Sequence, residues 1–448
     1  MRNVKRLRVF LLALAVAVAA LPLTACGGNE AEVTVRYLNF KPEIADKYQE
    51  LADLYERETG VKVIVDTAAN NTYEQTLTAK MSTAEAPTLF QINGPRGYKN
   101  WQEYCADLSD TELYKHLTDK SLAVTDGDKV VGIPYVVEGY GIIYNKAITD
   151  KYFALADRAT TYRSMDEINS FDKLKALVED MQAHAADLGI KGVFASTSLK
   201  GGEDWRWQTH LANIPLTYEF TDNKTDLTTD AVGTIAFKYA ENFKNIFDLY
   251  INNSVTDKKL LGSKTVADSM AEFALEQCAM VQNGNWAWSQ MSGVSGNKVK
   301  AENVKYLPIY TGIDGEESQG LAIGTENFYA INAKASEEEQ KAAADFIYWL
   351  YSSEEGKKTV TESFGFIAPF DTFSEQDLPT DPLAQELVRW MKKDGVKTVP
   401  WNFTVFPSTQ FKEAFGASLL KYAQGNKDWA AVTKDVVDSW KKESQAVS

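Results

Sequence analysis

The pattern of apolar and polar residues near the start of the chain predicts alternating strands and helices. Residues 33–40 (VTVRYLNF) and 61–67 (VKVIVDT) alternate in polarity and are rich in β-branched side chains, which is typical of strands. Between them, apolar residues recur at helical spacing from Ile44 to Tyr55, and Gly60 ends that helix. A strand, a helix and a strand within about 35 residues form a βαβ unit, which predicts a parallel sheet covered by helices.

The pattern continues with a second helix at 73–83, a short buried strand at 87–91 and a long strand-like run at 133–147 (IPYVVEGYGIIYNKA). Gly139 and Gly141 lie in the middle of that run. Glycine inside a strand often marks a bend or a close approach of backbone. We therefore interpret this run as a crossover between two lobes.

The second half of the chain is dominated by helical periodicity, for example in residues 171–189 and 233–250. Ser336 and Glu339 form a capping box ahead of another helix, whose apolar face continues to Leu350. A chain of 448 residues is longer than one hydrophobic core usually supports. Two α/β lobes are therefore expected.

The N-terminal segment has the pattern of a secretory signal. Basic residues in the first ten positions precede an apolar run of about 13 residues, which is shorter than the roughly 20 residues of a membrane span. The closing sequence Leu-Thr-Ala-Cys resembles a bacterial lipoprotein signal, in which residues 1–25 are removed and Cys26 carries lipid. Residues 26–32 would then be a short tether on the outer side of the cell membrane. The alternative is an ordinary signal peptide that ends near a cysteine.

The charge of the chain argues against polyanionic partners. Four of its 47 Lys and Arg residues lie in the first 25 residues, so their removal changes the formal net charge from −15 to −19. A body this acidic disfavours nucleic acid and anionic lipid headgroups.

Residues suited to metal or redox chemistry are few. The chain has three histidines and lacks HExxH and CxxC motifs, so we expect neither a metal site nor a cofactor. Cys105 and Cys278 are far apart in sequence, and this spacing fits a disulfide and two free thiols equally well.

Three segments combine tryptophan with polar side chains: 203–210 (EDWRWQTH), 282–288 (QNGNWAW) and 398–411 (TVPWNFTVFPSTQF). Neutral sugars present C–H faces that stack on aromatic rings and hydroxyl groups that both donate and accept hydrogen bonds. In each W-x-W pair, we expect one ring to be buried and the other to be exposed. These segments supply four candidate ligand-binding residues, namely Trp205, Trp207, Trp401 and Gln410.

Four stretches carry a family resemblance: VEGYGIIYNKA, AMVQNGNWAWSQ, YLNFKP and INGPRGY. They resemble the extracellular solute-binding proteins of sugar ABC transporters, the family that includes maltose-binding protein. The resemblance implies ligand contacts at Asn39, Lys41, Arg96, Glu138 and Trp286, with Trp288 as support. An acidic residue usually precedes the arginine in this family, whereas Pro95 stands there in this chain.

The resemblance also implies a fold and a mechanism. The fold would be a two-lobed periplasmic-binding-protein-like clamp of type II, in which each lobe is a mainly parallel sheet flanked by helices. The expected first lobe comprises residues 33–140 and 295–335, and the second comprises 141–294 and 336–448. A carbohydrate would bind between the lobes, and the three aromatic segments favour an oligosaccharide over a monosaccharide. The expected partners are ABC permease subunits and, through lipid, the membrane; a monomer is expected.

Other functions are compatible with parts of the sequence. A glycan-degrading surface enzyme would need two carboxylates about 5 Å apart, and the acidic pairs Glu203–Asp204 and Glu354–Glu355 exist. Aromatic and acidic groups together would suit a polyamine or peptide ligand. A surface adhesin that binds glycans without a transporter would have a similar sequence.

Overall fold

The structure is a computed structural model, and it describes residues 33–446 except 69, 226 and 228–231. The signal sequence, Cys26 and the tether therefore lie outside the described residues. Within this part of the chain, no helix combines the length and the apolar character that a membrane crossing requires.

The described residues contain eleven strands. They are β1 Thr34–Asn39, β2 Lys62–Thr67, β3 Leu89–Ile92, β4 Val124–Asp126, β5 Lys129–Pro134, β6 Glu138–Asn145, β7 Met280–Gly284, β8 Val304–Leu307, β9 Gln319–Gly324, β10 Phe328–Ile331 and β11 Lys397–Pro400.

Sixteen α-helices accompany the strands in this part of the chain. They are α1 Ala45–Thr59, α2 Asn70–Met81, α3 Gly94–Trp101, α4 Glu112–Lys115, α5 Lys146–Phe153, α6 Phe171–Ala183, α7 Ala185–Leu188, α8 Ala212–Asp222, α9 Ala240–Asn252, α10 Val266–Ala274, α11 Ala287–Ser292, α12 Glu337–Ser352, α13 Glu354–Lys358, α14 Pro382–Met391, α15 Thr409–Ala423 and α16 Trp429–Ala446. Two wider π-helical turns span Arg206–Leu211 and Thr359–Ser363.

The first sheet has six strands in the order β2-β1-β3-β10-β5-β4. Strand β1 pairs in parallel with β2 and β3, as the βαβ pattern predicts. Alternation along β1 sends Val35 and Tyr37 to a core shared with α1 and α12, and Leu38 to a second core on the opposite face with α2 and α3. The sheet is therefore covered by helices on both faces.

The second sheet has the order β11-β9-β6-β7, with β8 also paired to β6. One face packs on α6, α8, α9, α15 and α16, and the other on α10, α11 and α14. The two-lobed α/β fold is thus confirmed, but the strands are mixed in direction rather than mainly parallel. Strands β6 and β10 each enter a sheet from the other lobe, so they run antiparallel to their neighbours.

Within the described residues the chain passes between the lobes three times, at 135–137, 325–327 and 371–381. The first crossing falls within the run that the sequence identified. It lies just before the two glycines, so the run is two strands in different sheets rather than one long strand.

Strand pairing corrects the expected lobe boundaries in two places. Strands β8 and β9, expected in the first lobe, pair with β6 in the second sheet, because the chain returns to the first lobe only after residue 324. Helix α12, expected in the second lobe, packs on the first sheet through Phe346, Ile347 and Leu350. Its capping box at Ser336 and Glu339 is confirmed.

The glycines of β6 permit close packing rather than a bend. A Cβ atom at Gly141 would lie 2.7 Å from the carbonyl oxygen of Leu307 in β8, and one at Gly139 would lie 2.4 Å from Leu387 in α14. Any side chain at these positions would push β8 or α14 away from β6.

The substitution Gly141→Ala is expected to lower the free energy of unfolding by about 2–3 kcal/mol, because overpacking a rigid core strains neighbouring backbone. Urea denaturation measures this change. Gly201→Ala is the control, since a Cβ there meets nothing within 4 Å. A stability loss at Gly201 equal to that at Gly141 would contradict the close-packing explanation.

Candidate functional site

Three tryptophans from separate segments meet at one place. The ring centroid of Trp286 lies 5.9 Å from that of Trp205 and 6.3 Å from that of Trp401. These are the three aromatic segments that the sequence identified. The side chains of Trp205 and Trp286 are partly buried, whereas Trp401 is buried.

Each ring of this aromatic cluster is held by its own segment. The Trp286 ring lies over Gly284, where a Cβ would be 2.2 Å from ring carbons. The turn before it is tied to β6, since Asn285 accepts a hydrogen bond from the Gly139 N–H at 2.9 Å. Asn213 of α8 fixes Trp401 by donating to the Pro400 carbonyl and accepting from the Asn402 N–H.

His210 lies at the centre of the cluster, and sequence reasoning missed this role. Its ring stacks on Tyr140 at 4.2 Å and lies 4.8 Å from Trp205 and 5.5 Å from Trp286. Burial holds the pKa of His210 well below its ordinary value, so the ring is neutral and behaves as another aromatic face. The sequence offered one signal for this role, namely the short distance along the chain between Trp205 and His210. The π-helical turn that follows Trp205 contains His210.

Trp207 does not belong to this cluster, which corrects its expected role as a ligand contact. It is 1% exposed, packs on Phe247 and Tyr250, and its indole N–H donates to the Ser198 carbonyl at 2.9 Å. In a helical turn, side chains two positions apart point to roughly opposite sides, so Trp205 and Trp207 divide between site and core.

The polar part of the site joins the two lobes through a buried ion pair. Lys41 Nζ lies 2.6 Å from a Glu138 carboxylate oxygen and 3.7 Å from one of Glu43. Burial alone would lower the pKa of Lys41, but the two carboxylates raise it above its ordinary value. Asn39 is fully buried and shapes the turn that presents Lys41, through bonds to the Lys41 backbone at 2.9 and 3.0 Å.

Arg96 and Gln410 lie on the two sides of the interlobe contact. Arg96 is partly buried on α3, where Gly94 faces Thr404 of the second lobe. Gln410 is exposed near the start of α15, and no described hydrogen bond or ring contact joins it to the aromatic cluster. The structure therefore gives no link between Gln410 and the aromatic cluster among the described residues, and its role as a ligand contact stays a prediction.

Lys412, two residues further along α15, carries a positive charge close to two carboxylates. Burial lowers its pKa, opposed by the carboxylates of Glu326 and Glu74. Burial also raises the pKa of both carboxylates. Asn93 donates to Glu326 at 2.9 Å, and the Trp101 indole donates to Glu74 at 2.9 Å. Sequence patterns gave no signal for this cluster, because its members come from distant segments.

A cavity of about 220 Å³ lies between the lobes beside Trp286. The first lobe contributes Glu43 and the segment 362–366. The second lobe contributes Glu138, Asp381 and several residues between 285 and 292. The walls therefore combine aromatic rings with carboxylates from both lobes. No group of three His, Cys, Asp or Glu side chains suited to hold a metal ion occurs among the described residues.

The chain matches the family model described as bacterial extracellular solute-binding protein over residues 50–386, which is more than half of its length. The chain belongs to this family. Curated protein sequences include none that matches it.

Solved structures of similar fold place this solute-binding protein beside sugar-binding proteins. RafE in complex with raffinose has a TM-score of 0.69 and 18% identity, covering 92% of this chain and 100% of that one. A chitin oligosaccharide binding protein has a TM-score of 0.67 and 18% identity, covering 93% and 100%. A sugar transporter protein from Bacillus licheniformis in complex with stachyose has a TM-score of 0.65 and 17% identity, covering 92% and 100%.

Asp381 is a carboxylate that lines the cavity of this solute-binding protein and whose pKa is strongly raised. One of its oxygens caps α14 by accepting hydrogen bonds from the Leu383 and Ala384 N–H groups at 2.8 and 2.9 Å. Burial nevertheless raises its pKa from 3.8 to about 7. Between these two values the unfolded chain has already lost the proton that the folded protein still holds, so stability falls as pH rises.

We expect Asp381→Asn to remove this pH dependence while keeping the helix cap, since Asn caps as well as Asp. The variant should match the wild type near pH 4 and exceed its unfolding free energy by about 1–3 kcal/mol at pH 8. Denaturation at several pH values measures the difference.

Asp377 lies in the same crossing between the lobes and provides a control, because its pKa shift has the opposite direction to that of Asp381. Hydrogen bonds led by the Ser374 N–H hold its pKa below the ordinary value, so it stabilises the fold at neutral pH and loses that effect in acid. Asp377→Asn should therefore be less stable than wild type at neutral pH. If Asp381→Asn also lost stability at pH 8, the assigned pKa shift would be wrong.

Proposed function

We propose that this solute-binding protein is the substrate-binding component of an ABC importer for a carbohydrate, with an oligosaccharide as ligand. The observation that carries the proposal is the convergence of Trp205, Trp286 and Trp401 beside an interlobe cavity. Three large rings at 5.9 and 6.3 Å offer several stacking faces, which suits a ligand of more than one sugar unit.

The polar groups of the site suit sugar hydroxyls. The indole N–H groups of Trp286 and Trp401 have no hydrogen-bond partner among the described residues, so each can donate to a hydroxyl oxygen. Glu138 can accept from a hydroxyl and Lys41 can donate to one. Arg96 lies on the opposite side of the cleft, on α3.

The comparisons support a sugar over other solutes. The similar structures named above are described as bound to raffinose or stachyose, or as binding chitin oligosaccharide. At identities of 17–18% they establish the fold. The ligand chemistry of this chain rests on its own aromatic cluster.

Closure of the lobes provides the mechanism. Helix α3 of the first lobe meets the turn Phe403–Val405 of the second, where a Cβ at Gly94 would lie 3.1 Å from Thr404. A sugar that touches both lobes stabilises this closed form by the contacts that the open form lacks. A micromolar affinity requires about −8 kcal/mol, which a few stacked rings and hydrogen bonds can supply.

Delivery requires a partner and a position at the membrane. The closed protein, acting as a monomer, would release its sugar to permease subunits. Lipid on Cys26 would keep it at the outer face of the cell membrane, with residues 26–32 as the tether.

The protein acts as a binder rather than an enzyme in this proposal. The acidic pairs considered from the sequence lie outside the cavity lining. Glu203 is engaged by Lys200 and the Val266 N–H, Asp204 faces Gly416, and Glu354 with Glu355 begins α13.

A cationic ligand is the second candidate, because four carboxylates line the cavity: Glu43, Glu138, Glu362 and Asp381. Aromatic walls would add cation–π attraction. Against this, the Lys41 ammonium already neutralises part of this charge, and burial raises the pKa of Glu43 and Asp381. The affinity for a polyamine should fall steeply with salt, whereas the affinity for a neutral sugar should not.

Trp286→Ala is expected to weaken oligosaccharide binding at least tenfold, because it removes the central stacking face. A thermal-shift screen of the full-length protein against mono- and oligosaccharides, polyamines and peptides identifies the ligand, and calorimetry compares the variants.

The matched control is Trp349→Ala. Trp349 is also partly buried, but it packs on Tyr55 and bonds to Glu58 on the outer side of the first lobe. Equal losses of affinity in the two variants would refute the stacking role of Trp286, and a screen in which only polyamines or peptides bind would refute the sugar.

Cys26→Ser is expected to move the protein from the membrane fraction to the soluble fraction in a bacterial host that processes lipoproteins, because serine offers no thiol for lipid. Cell fractionation with immunodetection measures this. Cys105→Ser, which alters a free thiol within the fold, should stay with the membrane. Retention of Cys26→Ser in the membrane fraction would contradict the anchor.

A further inference from the structure

Arg206 carries a buried guanidinium that has no hydrogen-bond partner within the described part of the chain. It opens the π-helical turn Arg206–Leu211 and is 1% exposed. Its Nε, Nη1 and Nη2 atoms all lack a hydrogen-bond partner among the described residues. Buried polar groups in folded proteins are almost always paired, so a guanidinium with three unpaired nitrogens calls for an explanation.

The surroundings hold Arg206 in place without neutralising it. Its guanidinium carbon lies 3.9 Å from the ring centroid of Trp205, and its backbone carbonyl accepts from Gln282 Nε2 at 2.7 Å. Glu203, the opposing charge that acts on it, is engaged by Lys200 at 2.8 Å and by the Val266 N–H at 2.7 Å. The guanidinium is therefore oriented by stacking, and its donors remain unpaired among the described residues.

The charge persists at neutral pH. Burial lowers the pKa of Arg206 to about 9, which still leaves the group protonated at pH 7. A buried charge that lacks a partner destabilises a folded protein. A ligand that supplies the partner would recover this cost on binding.

The position of Arg206 connects it to the aromatic cluster. It stacks on Trp205, whose ring lies 5.9 Å from that of Trp286. Two buried amide oxygens near this turn, those of Gln208 and Gln282, also lack partners among the described residues. A sugar stacked on the tryptophans would have two kinds of polar group at its edge. The Arg206 guanidinium could donate to an anion, and the two amide oxygens could accept from sugar hydroxyls.

We propose that Arg206 binds the carboxylate of an acidic sugar, so that the ligand is an oligosaccharide containing a uronic acid. This inference rests on the proposed function and narrows its substrate class. A carboxylate matches the planar fork of a guanidinium through two parallel hydrogen bonds. Arg206 is 1% exposed in this structure, so binding requires a rearrangement that opens a path for the carboxylate to the guanidinium.

Calorimetry with matched sugar pairs tests the inference. The probes are α-1,4-trigalacturonate with its carboxyl-reduced trisaccharide, and a xylotetraose with and without a glucuronic acid branch. The wild-type full-length protein should bind the acidic member of at least one pair ten or more times more tightly. Arg206→Met should lose that preference while its affinity for the neutral member changes less than threefold.

The thermal midpoint without sugar provides a second measurement. Replacing an unpaired buried charge with an apolar side chain of similar length removes a destabilising group, so Arg206→Met should raise the midpoint by a few degrees. Arg57→Met, at an exposed position of α1, is the control that changes net charge equally and should leave affinity and midpoint unchanged.

Three results would overturn the inference. Equal or weaker binding of both acidic members, with neutral sugars bound, would refute the acidic ligand and leave the proposed function standing. A parallel loss of acidic and neutral binding in Arg206→Met, or a midpoint lowered by several degrees, would show that Arg206 has a structural role. Binding of no sugar in this or the wider screen would overturn the proposed function as well.

Discussion

Strand β6 is the constraint on which both lobes depend. All eight of its residues are buried, and it pairs with β7 on one edge and with β8 and β9 on the other. It is also the strand by which the chain first enters the second lobe. Its first residue, Glu138, meets Lys41 of the first lobe at 2.6 Å. One strand therefore organises the second sheet and fixes the interlobe ion pair.

The aromatic cluster depends on the same strand. Tyr140 of β6 stacks on His210 and donates a hydrogen bond to its carbonyl at 3.0 Å, which fixes the π-helical turn beside Trp205. The Gly139 backbone holds the turn that carries Trp286. Rings contributed by loops are thereby attached to a rigid element, and a rigid platform lowers the ordering cost of binding a ligand.

Burial at the lobe interface sets the electrostatics of the cleft. Removing water raises the pKa of Glu43, Glu326 and Asp381 and lowers that of Lys412. Water that reached these groups would favour their charged forms.

The sequence by itself determined the local elements and the composition of the site. The βαβ pattern, the capping box at Ser336 and the three tryptophan segments depend on interactions between residues close in the chain, and the structure contains them. Only the tertiary structure decided that Trp207 is core, that Lys412 lies near the carboxylates of Glu326 and Glu74, and that β8 and β9 join the second sheet. These outcomes depend on which distant segments share a core, and local periodicity carries no record of that choice.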